Sequence, residues 1–283
     1  MGLIMMIAYP NRAGGGAYSG GAWLPALPVS HLQSPELWRV ARSVDLDPAS
    51  TQFRVDLGSA YPLRAFALCN HNLGKDDTWR LMLGTTPGAA DVYDSGHRPA
   101  WTMSWDGLVD WESAVWWSGI AGDDYLRSPY ASMRVLSDYL TARHITIEIR
   151  SPDNPDGYVQ LGRVFAGSAL STAYGTAMGL QDGWRDLSTT DQSAESGALF
   201  AVKRRRLRTT SFVIPYISHI KAAYFHDLQR MVGTTDEVLY IPSESNMDRS
   251  QRYGYLARLA ELSPIDYPYF TGRSLPLKLE EIA

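Results

Sequence analysis

The sequence predicts a mainly β protein of two domains with one helix, and three observations carry that reading. Phe53, Val55 and Leu57 alternate with Gln52, Arg54 and Asp56, and HITIEIR at His144 to Arg150 alternates in the same way, which is the period of strands with one buried face. All nine tryptophans lie at or before Trp184, so the composition changes partway along the chain. At 283 residues and 45% hydrophobic, the chain can fill two ordinary cores. The expected domains are 1–170 and 171–283, with the junction between Ser168 and Trp184.

Taken in order, Met5 to Ala8 reads as a short strand, and Arg12 to Gly21 as a glycine-rich loop. GGGAYSGG lacks the Lys-Ser/Thr of a phosphate-binding loop and has no helix-forming run behind it. Prolines break any regular element through GAWLPALPVSHLQ, and WRVARS leads into the strand at Phe53. Gly58 and Pro62 predict a turn there. Leu63 to Cys69 is then apolar on both faces, as a central strand requires. Trp79 to Leu83 is a further strand, followed by a polar turn at Thr85 to Ala89. HITIEIR buries Ile145, Ile147 and Ile149, SPDNPDG turns, and YVQLGRVFAG closes the first domain.

The second half begins with a polar stretch and a strand from Leu207 to Ile214. Ser218 predicts a helix cap, Gly233 the helix end, and Ile220, Tyr224, Leu228 and Met231 the buried face between them. Strands are expected at Val238 to Ile241, Tyr253 to Leu259 and Leu275 to Ile282, the last with Leu275, Leu277 and Leu279 inward.

A net charge of −4 argues against a surface made wholly for nucleic acid. The one cysteine, Cys69, sits in an apolar strand and excludes a disulfide framework. The leader MGLIMMIAYPNR lacks the basic region of a secretion signal, no run approaches membrane-spanning length, and a reducing cytoplasm is the expected place of synthesis. The six histidines show no metal-ligand spacing, no GxSxG or HExxH occurs, and neither a cofactor nor catalysis is expected. Carboxylate pairs could be drawn from Asp106, Asp110, Glu112, Asp123 and Asp124, but a chain with 30 acids offers such pairs anywhere.

Two clusters stand out. Trp101, Trp105, Trp111, Trp116 and Trp117 crowd one connection with Asp106, Asp110 and Glu112. Flat rings stack on sugar faces and acids accept hydroxyl hydrogen bonds, so Trp101, Trp105, Asp106 and Trp111 are candidate carbohydrate-binding residues. The same indoles could instead plug the end of a sandwich or a subunit interface. The basic run Lys203, Arg204, Arg205, Arg206 and Arg208 is the second cluster, a candidate assembly interface; a solvated face and a nucleic-acid contact are the alternatives.

VDLG, a turn, and the apolar strand ending in Asn70 resemble the opening of the galactose-binding-like (discoidin-type) β-sandwich over roughly the first 170 residues. AYPNRA, WLPALPVSHLQ, LCNHNL, YDSGHRP and PDNPDGYVQLGRVFAG resemble tail proteins of long-tailed bacteriophages. IKAAYFHDLQRMVGTTD, EVLYIPS and LPLKLEEI are similar to the tail-tube-like domain of distal tail and minor tail proteins. These likenesses imply a ring-forming structural component of a phage tail tip. It would lie in the virion between the tail tube and the baseplate hub, with itself and other tail proteins as partners and no membrane insertion. The alternative they leave open is a carbohydrate-binding module that contacts the host surface.

Overall fold

The computed structural model describes residues 5–101, 131–172, 179–192, 199–267 and 272–282. Its first strands are β1 (Met6–Ala8), β2 (Ala17–Ser19), β3 (Ala41–Arg42), β4 (Phe53–Cys69), β5 (Thr78–Gly84), β6 (Tyr93–Asp94), β7 (Arg98–Pro99), β8 (Ser132–Arg150), β9 (Gln160–Leu161), β10 (Arg163–Gly167) and β11 (Ala169–Ser171), with a one-turn helix α1 (Pro48–Thr51) before β4. There follow β12 (Gln181–Asp186), β13 (Thr189–Gln192), β14 (Leu199–Val202), β15 (Arg206–Ile217), helix α2 (His219–Val232), β16 (Val238–Ile241), helix α3 (Met247–Tyr253), β17 (Tyr255–Leu259) and β18 (Arg273–Glu281). The protein is mainly β and sandwich-like. It divides into two compact units: a sandwich unit of Ile4–Ser171 with Leu239–Leu256, and a C-terminal unit built mainly of Thr172–Val238 and Ala257–Ala283. Neither is one continuous stretch of chain.

In the sandwich unit the main sheet runs β10-β4-β8-β5-β6, with β2 added to β4 and β7 to β5. Its core is the set of inward residues that alternation predicts: Phe53, Val55, Trp79, Leu81, Ile145 and Ile149 are all fully buried. The turn expected at Gly58 and Pro62 does not end the strand. β4 continues for 17 residues because both halves pair with the 19-residue β8. The register jumps from Asp56 opposite His144 to Tyr61 opposite Ala142, so the residues between bulge out of the ladder. Gly58 takes φ +77°, a left-handed conformation that suits glycine, and donates its N–H to Asp56 Oδ1 at 2.8 Å. Elsewhere in this unit β1 pairs with β11 and with the Leu239–Ile241 part of β16, and β3 pairs with β9.

In the C-terminal unit, Ala257–Leu259 of β17, then β18, β15 and β12 form an antiparallel sheet. Leu275, Leu277 and Leu279 point inward as their alternation predicts. Ser218 Oγ accepts the Lys221 N–H at 3.4 Å, and Gly233 at φ +57° ends α2. The buried face of that helix differs from the expected one. Ala222, Phe225, Leu228 and Val232 are buried, while Ile220, Tyr224 and Met231 are exposed. The helix carries two apolar stripes, and periodicity does not say which of them the sheet will cover.

A single helix was expected after the sandwich, and the short α3 adds to it. Asn246 caps this helix by accepting the Arg249 N–H at 2.8 Å, and Asp248 sits in its first turn. It belongs to the sandwich unit, where Gln251 Nε2 donates to the Ala100 carbonyl at 2.6 Å.

Candidate functional site

Trp105, Asp106 and Trp111 lie outside the described residues. Trp101, at the start of their connection, is 2% exposed. Its indole N–H donates to the Leu73 carbonyl at 2.8 Å, and its ring meets His71 edge-on at 5.5 Å. A ring so enclosed packs the sandwich and offers no face to a sugar. Trp79 is buried in the same manner, donating to Ser132 Oγ at 2.8 Å beneath the Arg134 guanidinium. Burial brings His71 down to a pKa of about 4, and its buried Nε2 has no hydrogen-bond partner among the described residues.

The indole that sequence reasoning passed over is Trp38, which is 73% exposed. Its loop is held from both sides. A 3₁₀ turn at Val29–Gln33 precedes it and buries Leu32, and Leu37 is buried next to Trp38. Asn70 Nδ2 donates to the Leu37 carbonyl at 2.7 Å, and His31 Nδ1 donates to the Val40 carbonyl at 2.9 Å. Gly162 completes the seat, since a Cβ there would come within 2.7 Å of the Leu37 oxygen. Arg39 N–H donates to the Glu36 carbonyl at 3.1 Å, which tightens the turn under the indole.

Polar groups flank the ring. Glu36 and Arg39 form an exposed pair at 3.8 Å, with the Arg39 guanidinium 5.9 Å from the Trp38 ring centre. Beyond the loop begins β3, where Arg42 stacks on Tyr158 at 4.0 Å and donates to Gln160 Oε1 at 3.0 Å. The sequence signal was available in SPELWRV, a lone Trp between a Glu and an Arg. It is outnumbered there by the five indoles further on.

The basic run splits between two fates. Arg208 is buried, its backbone N–H and its guanidinium donating to the two oxygens of Glu281 at 2.9 and 3.0 Å. Arg205 approaches the same carboxylate at 3.6 Å. Arg206 meets Asp186 at 3.3 Å with its side chain largely exposed. Lys203 and Arg204 are exposed and, among the described residues, make no ion pair. The interface reading therefore passes to Lys203, Arg204 and Arg206. Arg205 and Arg208 are drawn onto Glu281, a residue of the last strand that no local pattern links to them. Beside it, Glu280 accepts from Arg185 at 2.8 Å and from Arg258 at 2.9 Å. Burial raises the Glu280 pKa, but the bonds from Arg258 and Arg185 outweigh it and hold the carboxyl below its usual range.

Among the described residues, no group of three His, Cys, Asp or Glu side chains is arranged to hold a metal ion. Asp77 is buried against Ser151 Oγ at 2.5 Å and accepts the Gly74 N–H at 2.6 Å, so its carboxyl, raised in pKa by burial, braces two loops.

No protein-family profile matches this sequence, and no curated protein matches it. Solved structures similar to it include the family 32 carbohydrate-binding module of Clostridium perfringens NanJ in complex with galactose. Identity there is 10% over 58% of this chain and 99% of that one, with a TM-score of 0.38. A fucose-binding module of Streptococcus pneumoniae, SpX-3, is similar at 10% identity over 56% of this chain and 98% of that one, with a TM-score of 0.36. The match to a family 89 glycoside hydrolase of Clostridium perfringens is 12% identical over 56% of this chain, with a TM-score of 0.35, and this chain spans 15% of that enzyme's length.

Proposed function

We propose that the protein is a non-catalytic carbohydrate-binding protein whose sandwich unit presents Trp38 as a stacking platform. The observation that carries the reading is a 73% exposed indole on a loop tied down by Leu37, Asn70 and His31. An exposed indole held on a braced loop offers a flat apolar face, with an N–H at its edge, on which another surface can stack. A fixed ring flanked by a carboxylate and a guanidinium suits a sugar, whose C–H face stacks while its hydroxyls hydrogen-bond at the rim. Glycan-array binding by the full chain, followed by titration calorimetry, tests this. Trp38→Ala should abolish binding and leave the melting temperature unchanged, because substitutions at exposed positions move stability by about 0.5 kcal/mol or less. Binding that survives Trp38→Ala would overturn the assignment.

A second reading has its own observation. The C-terminal unit exposes Lys203, Arg204 and Arg206 beside apolar side chains, which is the composition of a protein contact. It fits a structural component of a bacteriophage tail tip, assembled in the virion as an oligomeric ring between the tail tube and the baseplate hub. Charge reversal at Arg204 and Arg206 should then block incorporation into particles while the isolated chain stays folded. Incorporation at the unmodified level would sink that reading.

A further inference from the structure

We propose that the ligand of the Trp38 platform is an anionic glycan, with one sugar unit stacked on Trp38 and the acid group of a neighbouring unit held by Arg42. The inference rests on the platform reading and names the class of sugar that the platform takes.

Arg42 has the setting of an anion reader. Its guanidinium lies over the Tyr158 ring at 4.0 Å, and its Nη2 donates to Gln160 Oε1 at 3.0 Å, so a ring and a neutral amide fix its plane. Neither cancels its charge. Arg64, Arg80 and Arg143 of the same unit each meet a carboxylate, but among the described residues no carboxylate pairs with Arg42. Asp156, an acid of the loop that leads to Tyr158, accepts instead from Asn72 Nδ2 at 2.9 Å. Arg42 Nε is enclosed and makes no hydrogen bond among the described residues, so an acceptor has to approach from the Nη end. A guanidinium held flat with its charge uncompensated suits a carboxylate or a sulfate, whose oxygens accept its hydrogen bonds.

The ring and the guanidinium are seated on one segment of chain. A Cβ on Gly162 would come within 2.7 Å of the Leu37 oxygen, so the loop next to Trp38 lies against Gly162. Arg42 lies opposite Gln160 in the β3–β9 ladder. Gln160 and Gly162 are two residues apart, about 7 Å along an extended chain. Asn70 and Asn72 repeat the arrangement from the other side. Asn70 Nδ2 holds the Leu37 carbonyl at 2.7 Å, while Asn72 accepts the Gln160 N–H at 2.7 Å and donates to the Tyr158 carbonyl at 2.9 Å. That spacing fits two neighbouring units of one oligosaccharide. The charge of the rim points the same way: Arg39 lies 5.9 Å from the Trp38 ring centre, and Glu36, at 3.8 Å from Arg39, is the one acid of that turn. With Arg42 the patch sets two guanidiniums against one carboxylate, an excess that favours an anionic ligand.

The test is binding of the full chain to a glycan array that carries each backbone in neutral, carboxylated and sulfated form, followed by titration calorimetry on the best ligand and its neutral counterpart. The charged forms should bind about tenfold or more tightly than the neutral ones, and the advantage should shrink as salt rises. Whichever acid group binds more tightly, carboxylate or sulfate, is the one that Arg42 reads. Arg42→Gln should erase the advantage, bringing a charged ligand to the affinity of its neutral counterpart. Arg42→Lys should keep part of it, since the charge stays and the planar fork is lost. Trp38→Ala should abolish binding of both forms, and melting temperatures check that each variant is folded. Neutral glycans bound through Trp38 as tightly as their charged forms would overturn the inference and leave the platform standing. So would a preference for charge that survives Arg42→Gln, or a loss at Arg42→Gln that weakens both forms alike. An absence of binding to every glycan would remove the platform itself, and this inference with it.

Discussion

The two units treat their apolar side chains in opposite ways. In the sandwich unit the large apolar residues of β4, β5 and β8 are almost all covered, from Phe53 and Trp79 to Ile149. Of the fifteen large hydrophobic residues exposed among the described residues, eleven belong to the smaller C-terminal unit, on β14, on the outer stripe of α2 and around Tyr216 and Tyr267. A closed core needs nothing outside itself. A unit that leaves Leu199, Phe200, Ile220 and Met231 in water has unspent contact surface, and this contrast sets the recognition reading of one unit beside the association reading of the other.

The contrast breaks most visibly at its extremes. Trp79→Ala should destabilise the protein by about 3 to 5 kcal/mol, since it removes a fully buried indole and leaves Ser132 Oγ without its donor. Denaturant titration measures this, and a loss below about 1 kcal/mol would show that the sandwich is loosely packed there. The helix supplies a sharper internal comparison. Leu228→Ala, on the covered stripe, should cost about 2 to 5 kcal/mol. Met231→Ala, one turn away on the exposed stripe, should cost about 0.5 kcal/mol or less in dilute protein. Equal costs at the two positions would mean that both stripes are covered.

The smallest expected effect is electrostatic. Hydrogen bonds from Arg80, the main cause, and from the Gly96 N–H bring the Asp94 pKa down to about 2 from its ordinary value near 3.8. The unfolded state binds the proton first as acid is added, so this pair's contribution is complete above pH 3.8 and is lost as the pH falls towards 2. The pair is partly exposed, and such pairs contribute about 0 to 1 kcal/mol. Asp94→Asn should therefore lower stability at neutral pH by about 0 to 1 kcal/mol, leave it unchanged near pH 2, and so flatten the profile between pH 4 and pH 2, as read from thermal melts. An unchanged acid limb would show that the Arg80 contact contributes nothing.

Some features were legible in the sequence because they are local. The alternation in HITIEIR names its own buried face when only one face is apolar, and Ile145, Ile147 and Ile149 are buried accordingly. Ser218 and Gly233 bound α2 because capping and a left-handed C-terminus depend on neighbours within four residues. Other features required the fold. Gly58 and Pro62 carry the chemistry of a turn, yet the strand continues because β8, more than 80 residues further on, offers partners on both sides of the bulge. Both stripes of α2 are apolar, and only the tertiary structure, which buries Phe225 and Leu228 and leaves Tyr224 and Met231 exposed, decides which is inside. The run from Lys203 to Arg208 looked like one surface feature, but Glu281 captures Arg205 and Arg208 from the last strand. Trp38 and Trp101 are the same residue type with opposite exposures, 73% and 2%. Periodicity and capping operate over a few residues, whereas burial depends on which distant segments arrive to exclude water, and that information belongs to the tertiary structure.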